Sequence, residues 1–293
     1  WPRRIDTGAG KEPPDMKLLS FRRPDGTASW GIAKDDGVVD LGDRAPGLKH
    51  ALWAMTSLAE EAARRPDYAL ADITWLPPIP DPDKILCVGL NYLSHIKEGG
   101  REPPEKPIIF TRFANSQVGH GQTMIRPAAS ASFDYEGELA VVIGRACRHV
   151  KKDQWKSVVA GYACYNDGSI REWQRHSSQF IPGKNFHKSG AFGPWIVTPD
   201  EAGDITRAHL MTRLNGTEQQ HATIDDLCFD IPTLIEYCST FTRLEAGDVI
   251  VTGTTGGVGA YQKPPLWMKP GDTIEVEITG IGTLRNPIGQ EAA

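Results

Sequence analysis

Apolar and polar residues in this chain alternate over short stretches, and turn residues separate the stretches. Lys17 to Phe21, Ser29 to Lys34 and Val38 to Leu41 predict three strands, joined as hairpins through Asp25-Gly26 and Asp36-Gly37. Leu48, Leu52, Met55, Ala59 and Ala62 then recur at helical spacing, which predicts an amphipathic helix ending near Arg65-Pro66. Four prolines between Leu76 and Pro82 restrict that stretch to extended backbone and mark it as a linker. Beyond it, strand-like runs cover Ile85 to Leu90, Leu139 to Ile143, Val158 to Tyr165, Trp195 to Thr198, His209 to Leu214, Asp248 to Thr252 and Thr273 to Thr279. Ile231 to Ser239 predicts a helix with Pro232 in its first turn. The strands do not alternate regularly with helices, so the expected class is α+β, predominantly β, and not a doubly wound parallel sheet. The expected division is a tail over residues 1–15, a small N-terminal α+β domain over 16–79 and a larger domain over 80–293.

Composition narrows the partners. With 293 residues and a formal net charge of −5, the chain lacks the cation surplus a nucleic-acid binder needs. No apolar run reaches the length of a membrane helix. The five cysteines are odd in number and form no CxxC, which points to reduced thiols and a cytoplasmic setting rather than a disulfide scaffold or zinc site. Trp1 to Asp15 carries prolines but no apolar h-region, so it is expected to be a disordered tail or upstream residues rather than a signal peptide.

Candidate chemistry gathers in four places. In Asp134-Tyr-Glu136-Gly-Glu138-Leu, two carboxylates two apart on a strand project to one face and repel unless a cation lies between them. A hard divalent ion would meet that need, with Asp167 at the end of another apolar run as a third ligand, although the spacing alone also fits a solvated strand edge. After Asp167, Arg171 and Gln174 lie three apart, and Lys184 follows Gly183. Cations beside a metal suit an anionic substrate, and the same pattern fits an ordinary charged helix. His95 and Glu98 share one helical turn, as a general base and its orienting carboxylate would, or as a plain surface pair. The following Gly99-Gly100 could let this segment move as a lid. Finally, Thr252 to Gly259 is glycine-rich but lacks the Gly-Lys-Ser/Thr and helix of a phosphate loop. Its backbone amides can still approach a ligand closely.

In this order these motifs, together with Gly193-Pro194-Trp195, Asn215-Gly216 and Gly247-Asp248, resemble the fumarylacetoacetate hydrolase superfamily over roughly Ile85 to Pro287. Within it the chain resembles a small bacterial-type acylpyruvase or isomerase-like member. The resemblance implies a mixed β-roll catalytic domain, a smaller N-terminal domain and a homodimer. It implies Mg2+ or Mn2+ held by Glu136, Glu138 and Asp167, and a water-activating His95–Glu98 dyad. It makes Lys184 the lysine beside the metal, and makes Arg112, Arg171, Gln174 and Thr254 substrate contacts. Two departures bear on substrate choice: Thr255 where proline is frequent, and Arg112 where lysine is frequent. The activity implied is metal-dependent hydrolysis of a carbon–carbon bond in a small anionic 2,4-diketo acid such as an acylpyruvate or fumarylpyruvate, in the catabolism of aromatic compounds. The alternative is decarboxylation or isomerisation of an oxo-diacid, of the oxaloacetate or 2-hydroxyhepta-2,4-diene-1,7-dioate type, at the same site. A non-catalytic binding protein is a third reading, against which the complete set of acids, dyad and lysine speaks.

Overall fold

The computed structural model describes residues 16–292, so the tail expected over residues 1–15 lies outside the described residues. The strands foreseen from alternation form, most of them within a residue or two at each end. All but His209–Leu214 and Thr273–Ile278 join one large mixed sheet whose path runs Val38–Asp40, Ala28–Ala33, Lys17–Arg22, Gly190–Val197, Val159–Asn166, Gly137–Ile143, Val249–Thr254, Ile85–Gly89, Ile108–Arg112. Both Asp-Gly turns close antiparallel hairpins, pairing Leu19 with Gly31 and Ile32 with Val39. The N-terminal strands are not set apart from the rest: Lys17 and Leu18 pair with Val197 and Ile196, so residues on both sides of the proline-rich stretch share one sheet.

Gly137–Ile143 is buried along its whole length, as a near-continuous apolar run requires. Leu139, Val141 and Ile143 face one core, shared with the Ile231–Phe241 helix and a five-stranded sheet that includes His209–Leu214, Thr273–Ile278 and Gly282–Gln290. Ala140 and Val142 face a second core built with Leu18, Trp30, Leu48, Leu52 and Met55. The central strands are therefore clamped on both faces, and their ends can hold charged groups in fixed positions.

The helix expected over Leu48 to Ala62 is corrected. Two 3₁₀ segments, Leu48–His50 and Leu52–Leu58, precede a single α-turn at Ala59–Ala62, with a kink at Ala54. The buried residues Leu52, Met55 and Leu58 recur every three positions, the repeat that a 3₁₀ coil places on one face. The expected Ile231 helix forms as Ile231–Phe241, and the Asp230 carboxylate accepts from the Thr233 amide at its start. No helix among the described residues is long and apolar enough to cross a membrane.

Candidate active site

The pairing of two central strands fixes the acids. Gly137 lies opposite Asn166, the Asp167 amide donates to the Glu136 carbonyl, and the Glu136 amide donates to Asn166 Oδ1. Glu136 and Asp167 thus emerge side by side at one end of the sheet. Glu138, inside the strand, faces the same way, and ligand oxygens of all three buried carboxylates lie within 4.8 Å of one another.

Lys184 reaches in from the Ile181–Lys184 turn and bridges Glu136 Oε2 at 2.5 Å and Asp167 Oδ2 at 2.6 Å. Arg171 opens the helix Arg171–Gln174 and spans Asp134 Oδ2 at 2.7 Å, Glu136 Oε1 at 2.6 Å and Gln174 Oε1 at 3.0 Å. Its Nη2 is buried and has no hydrogen-bond partner among the described residues, so one charged donor is left for a ligand.

Electrostatics separates the two glutamates. Burial would raise Glu136, but Lys184 and Arg171 outweigh it and hold its carboxyl at about 2. Burial, with the charges of Asp167 and Glu136, pushes Glu138 well above the carboxylate range. Among the described residues its one hydrogen bond comes from the Gly253 amide, 2.6 Å from Oε2. A buried carboxylate with a single donor, beside two others, is a poorly compensated charge. Three hard oxygen donors so arranged fit a divalent cation, which would neutralise that excess.

His95 and Glu98 lie on the helix Leu93–Glu98, with His95 Nδ1 3.4 Å from Glu98 Oε2. The glycine-rich loop supplies the rest of the support: the Gly257 amide donates to both Glu98 oxygens, at 3.0 and 3.1 Å. Gly257 has φ +98°, and a β-carbon there would sit 2.0 Å from the Gln219 carbonyl oxygen, so only glycine serves. The Gly259 and Ala260 amides hold Asp134, which in turn holds Arg171.

The remaining predicted residues divide. Gln174 and Thr254 line the pocket above the carboxylates, as do Arg171, Lys184 and His95. The Thr254 hydroxyl donates to the Gly137 carbonyl and accepts from Gln220 Nε2, so its proton is already committed. Arg112, expected as a substrate contact, is not among the residues lining this pocket: it is buried behind Asp167, donating to Asp167 Oδ1, the Gly168 carbonyl and Ser189 Oγ. In this arrangement it braces a carboxylate. Sequence reasoning assigned no role to Asp134, although the Asp-Tyr-Glu-Gly-Glu alternation places it on the face of Glu136 and Glu138. The walls formed by Phe110, Phe180 and Tyr261, and the arginines Arg101 and Arg175, carried no local signal.

Residues 84–289 match the family model described as fumarylacetoacetate (FAA) hydrolase C-terminal. The chain belongs to the fumarylacetoacetate hydrolase family. As a family member it is 35% identical over 288 residues to a human protein named mitochondrial oxaloacetate tautomerase, covering 94% of this chain and 92% of that one. Among solved structures it is similar to 5-carboxymethyl-2-hydroxymuconate delta-isomerase from Mycobacterium smegmatis, with a TM-score of 0.77 and 32% identity over 95% of this chain and 100% of the other. It is also similar to maleylpyruvate hydrolase from Sphingobium, solved with manganese(II) and pyruvate, at a TM-score of 0.78 and 27% identity over 94% of this chain and 100% of that one. These relatives place the α+β, mainly β architecture and a catalytic site for oxo-acid chemistry on firm ground, with an acidic triad suited to a divalent metal.

Proposed function

We propose that this chain is a metal-assisted isomerase of short 2-oxo diacids, interconverting keto and enol forms of an oxaloacetate-type substrate. The carrying observation is a supported base, His95 on Glu98, that lines the same small pocket as three clustered carboxylates and an arginine with one free donor. Similarity along nearly the whole chain to the mitochondrial tautomerases supports this over hydrolysis.

Glu136, Glu138 and Asp167 would hold Mg2+ or Mn2+, which when bound supplies a Lewis acid beside the 2-oxo group. Arg171 Nη2 receives the substrate carboxylate, and Lys184, with a third donor beyond the two it gives to Glu136 and Asp167, lends positive charge near the 2-oxo oxygen. His95 removes a proton from C3. The C3–H electron pair becomes the C2=C3 double bond, and the proton returns to the former carbonyl oxygen. Glu98 faces Nδ1, which fixes the tautomer and leaves Nε2 as the exchanging nitrogen. Tyr261, tilted against His95 with ring centroids 5.7 Å apart, limits rotation of the imidazole.

The same base could activate water for carbon–carbon hydrolysis, a reading favoured by the likeness to the maleylpyruvate hydrolase. A product assay separates the two. With Mn2+ supplied, oxaloacetate is expected to reach keto–enol equilibrium faster with no gain in pyruvate. Stoichiometric pyruvate from oxaloacetate or from an acylpyruvate, or no acceleration of either, overturns the isomerase proposal.

A further inference from the structure

The pocket is polar at its floor and largely apolar along its walls, yet two further charges stand among those walls. Arg101 and Arg175 both line it, alongside Val88, Leu90, Phe110, Phe180 and Tyr261. They come from different elements. Arg101 follows Glu98 by three residues, past Gly99-Gly100, and Arg175 ends the helix Arg171–Gln174. The deeper cations are committed: Lys184 to Glu136 and Asp167, Arg171 to Asp134 and Glu136. Neither the Arg101 nor the Arg175 side chain has a hydrogen-bond or ion-pair partner among the described residues, and both are exposed.

Two uncompensated guanidiniums on one pocket ask for an anion, and their planar donor sets match a carboxylate. The substrate's 2-oxo acid end is accounted for by the acids, Arg171 and Lys184 at the floor. The pocket volume is about 130 Å3. At roughly 10–15 Å3 per water-sized site, it has room for on the order of ten non-hydrogen atoms. Resting on the isomerase reading above, we propose that Arg101 and Arg175 form a distal-carboxylate subsite that selects 2-oxo diacids over 2-oxo monoacids of equal length.

The test is binding of two unreactive ligands to the Mn2+-loaded full chain by calorimetry. Malate and 2-hydroxybutyrate share the 2-hydroxy acid end and differ in a distal carboxylate against a methyl group. Wild type is expected to bind malate more tightly. R101Q and R175Q should each weaken malate about tenfold, and the double variant about a hundredfold, with 2-hydroxybutyrate unchanged. R101K should recover part of the loss. Both side chains are exposed, so thermal midpoints should match wild type. Equal affinity of wild type for the two ligands, or equal weakening of both in the variants, overturns the subsite. If the malate preference disappears in the variants while wild type fails to isomerise oxaloacetate, the subsite stands and the isomerase reading falls.

Discussion

Replacing Arg112 by methionine, which keeps much of the side-chain length but removes the charge, tests whether this residue holds the site or touches the substrate. Its guanidinium is buried and pairs with a buried Asp167, and it also satisfies the Gly168 carbonyl and Ser189 Oγ at 2.9 and 2.8 Å. Deleting one partner of a buried pair costs about 3–5 kcal/mol, because the remaining charge is left uncompensated. The orphaned Gly168 carbonyl adds about 1 kcal/mol, giving about 4–6 kcal/mol in all. For a chain of this size about 2 °C of thermal midpoint is lost per kcal/mol, so the expected fall is about 8–12 °C. Asp167 would also lose the group that orients it, so Mn2+ affinity should drop at least tenfold, while KM at saturating metal should change little. Calorimetric unfolding and metal titration check the first two, and steady-state kinetics the third. A variant with an unchanged midpoint and metal affinity but a raised KM would refute this reasoning and return Arg112 to the substrate. Arg112→Lys, which keeps the charge with a different donor geometry, should fall between wild type and methionine.

His95→Asn should lower the isomerisation rate by about 10²–10⁴-fold, with Mn2+ affinity measured by calorimetry staying within twofold of wild type. Gly257→Ala should both destabilise the fold and slow turnover, since its β-carbon meets the Gln219 carbonyl at 2.0 Å and the shift withdraws an amide from Glu98; thermal melting and kinetics read the two effects. Burial raises all five thiols, Cys164 and Cys238 to about 12 and Cys87 well above its usual value, but Cys147 and Cys228 are only partly buried, so a thiol reagent at neutral pH should label these two in the native protein and the other three only after unfolding. Burial raises Asp40, but Arg23, the Ser29 hydroxyl and the Gly42 amide outweigh it and hold the carboxyl below its usual value. That stabilisation is present above the unfolded pKa of about 3.9 and is lost as pH falls through the lower folded value. Asp40→Asn should therefore cost about 1–3 kcal/mol at pH 7, and the gap to wild type should close in melts below pH 4.

The site was legible in the sequence where local periodicity encodes direction. Glu136 and Glu138 two apart on an apolar run, and His95 and Glu98 three apart before two glycines, state their shared faces without any tertiary knowledge. Strands with clear alternation were legible for the same reason. Thr217–Thr223 was not: it is an edge strand of polar residues in which Gln220 is the buried position, so no apolar alternation marks it. Gly282–Gln290 was hidden by its glycines, Asn286 and Pro287, yet it pairs on both sides, antiparallel to Thr273–Ile278 and parallel to Met124–Arg126. The Leu48–Ala62 stretch misled because its alternating spacing of four and three reads as an α-helix, whereas the residues that become buried, Leu52, Met55 and Leu58, lie three apart, as on one face of a 3₁₀ coil. Arg112 was legible in position but not in depth, because motif position says nothing of burial. Whether an arginine faces a ligand or braces a carboxylate from behind is decided by partners such as Asp167, Gly168 and Ser189, which are distant in the chain. Arg101 and Arg175 are the converse case, indistinguishable in sequence from any solvated arginine until the fold brings them to one pocket.

The central claim is that His95, supported by Glu98 and facing the three-carboxylate cluster, moves a proton at C3 of a 2-oxo diacid. The most direct measurement is the rate of deuterium incorporation at C3 of oxaloacetate in deuterium oxide, followed by proton NMR with the Mn2+-loaded or Mg2+-loaded protein. Wild type is expected to speed the exchange well above the rate with metal alone and without forming pyruvate, and His95→Asn to return it to near that background. Exchange by His95→Asn at the wild-type rate, or exchange by wild type no faster than with the metal alone, would contradict the account.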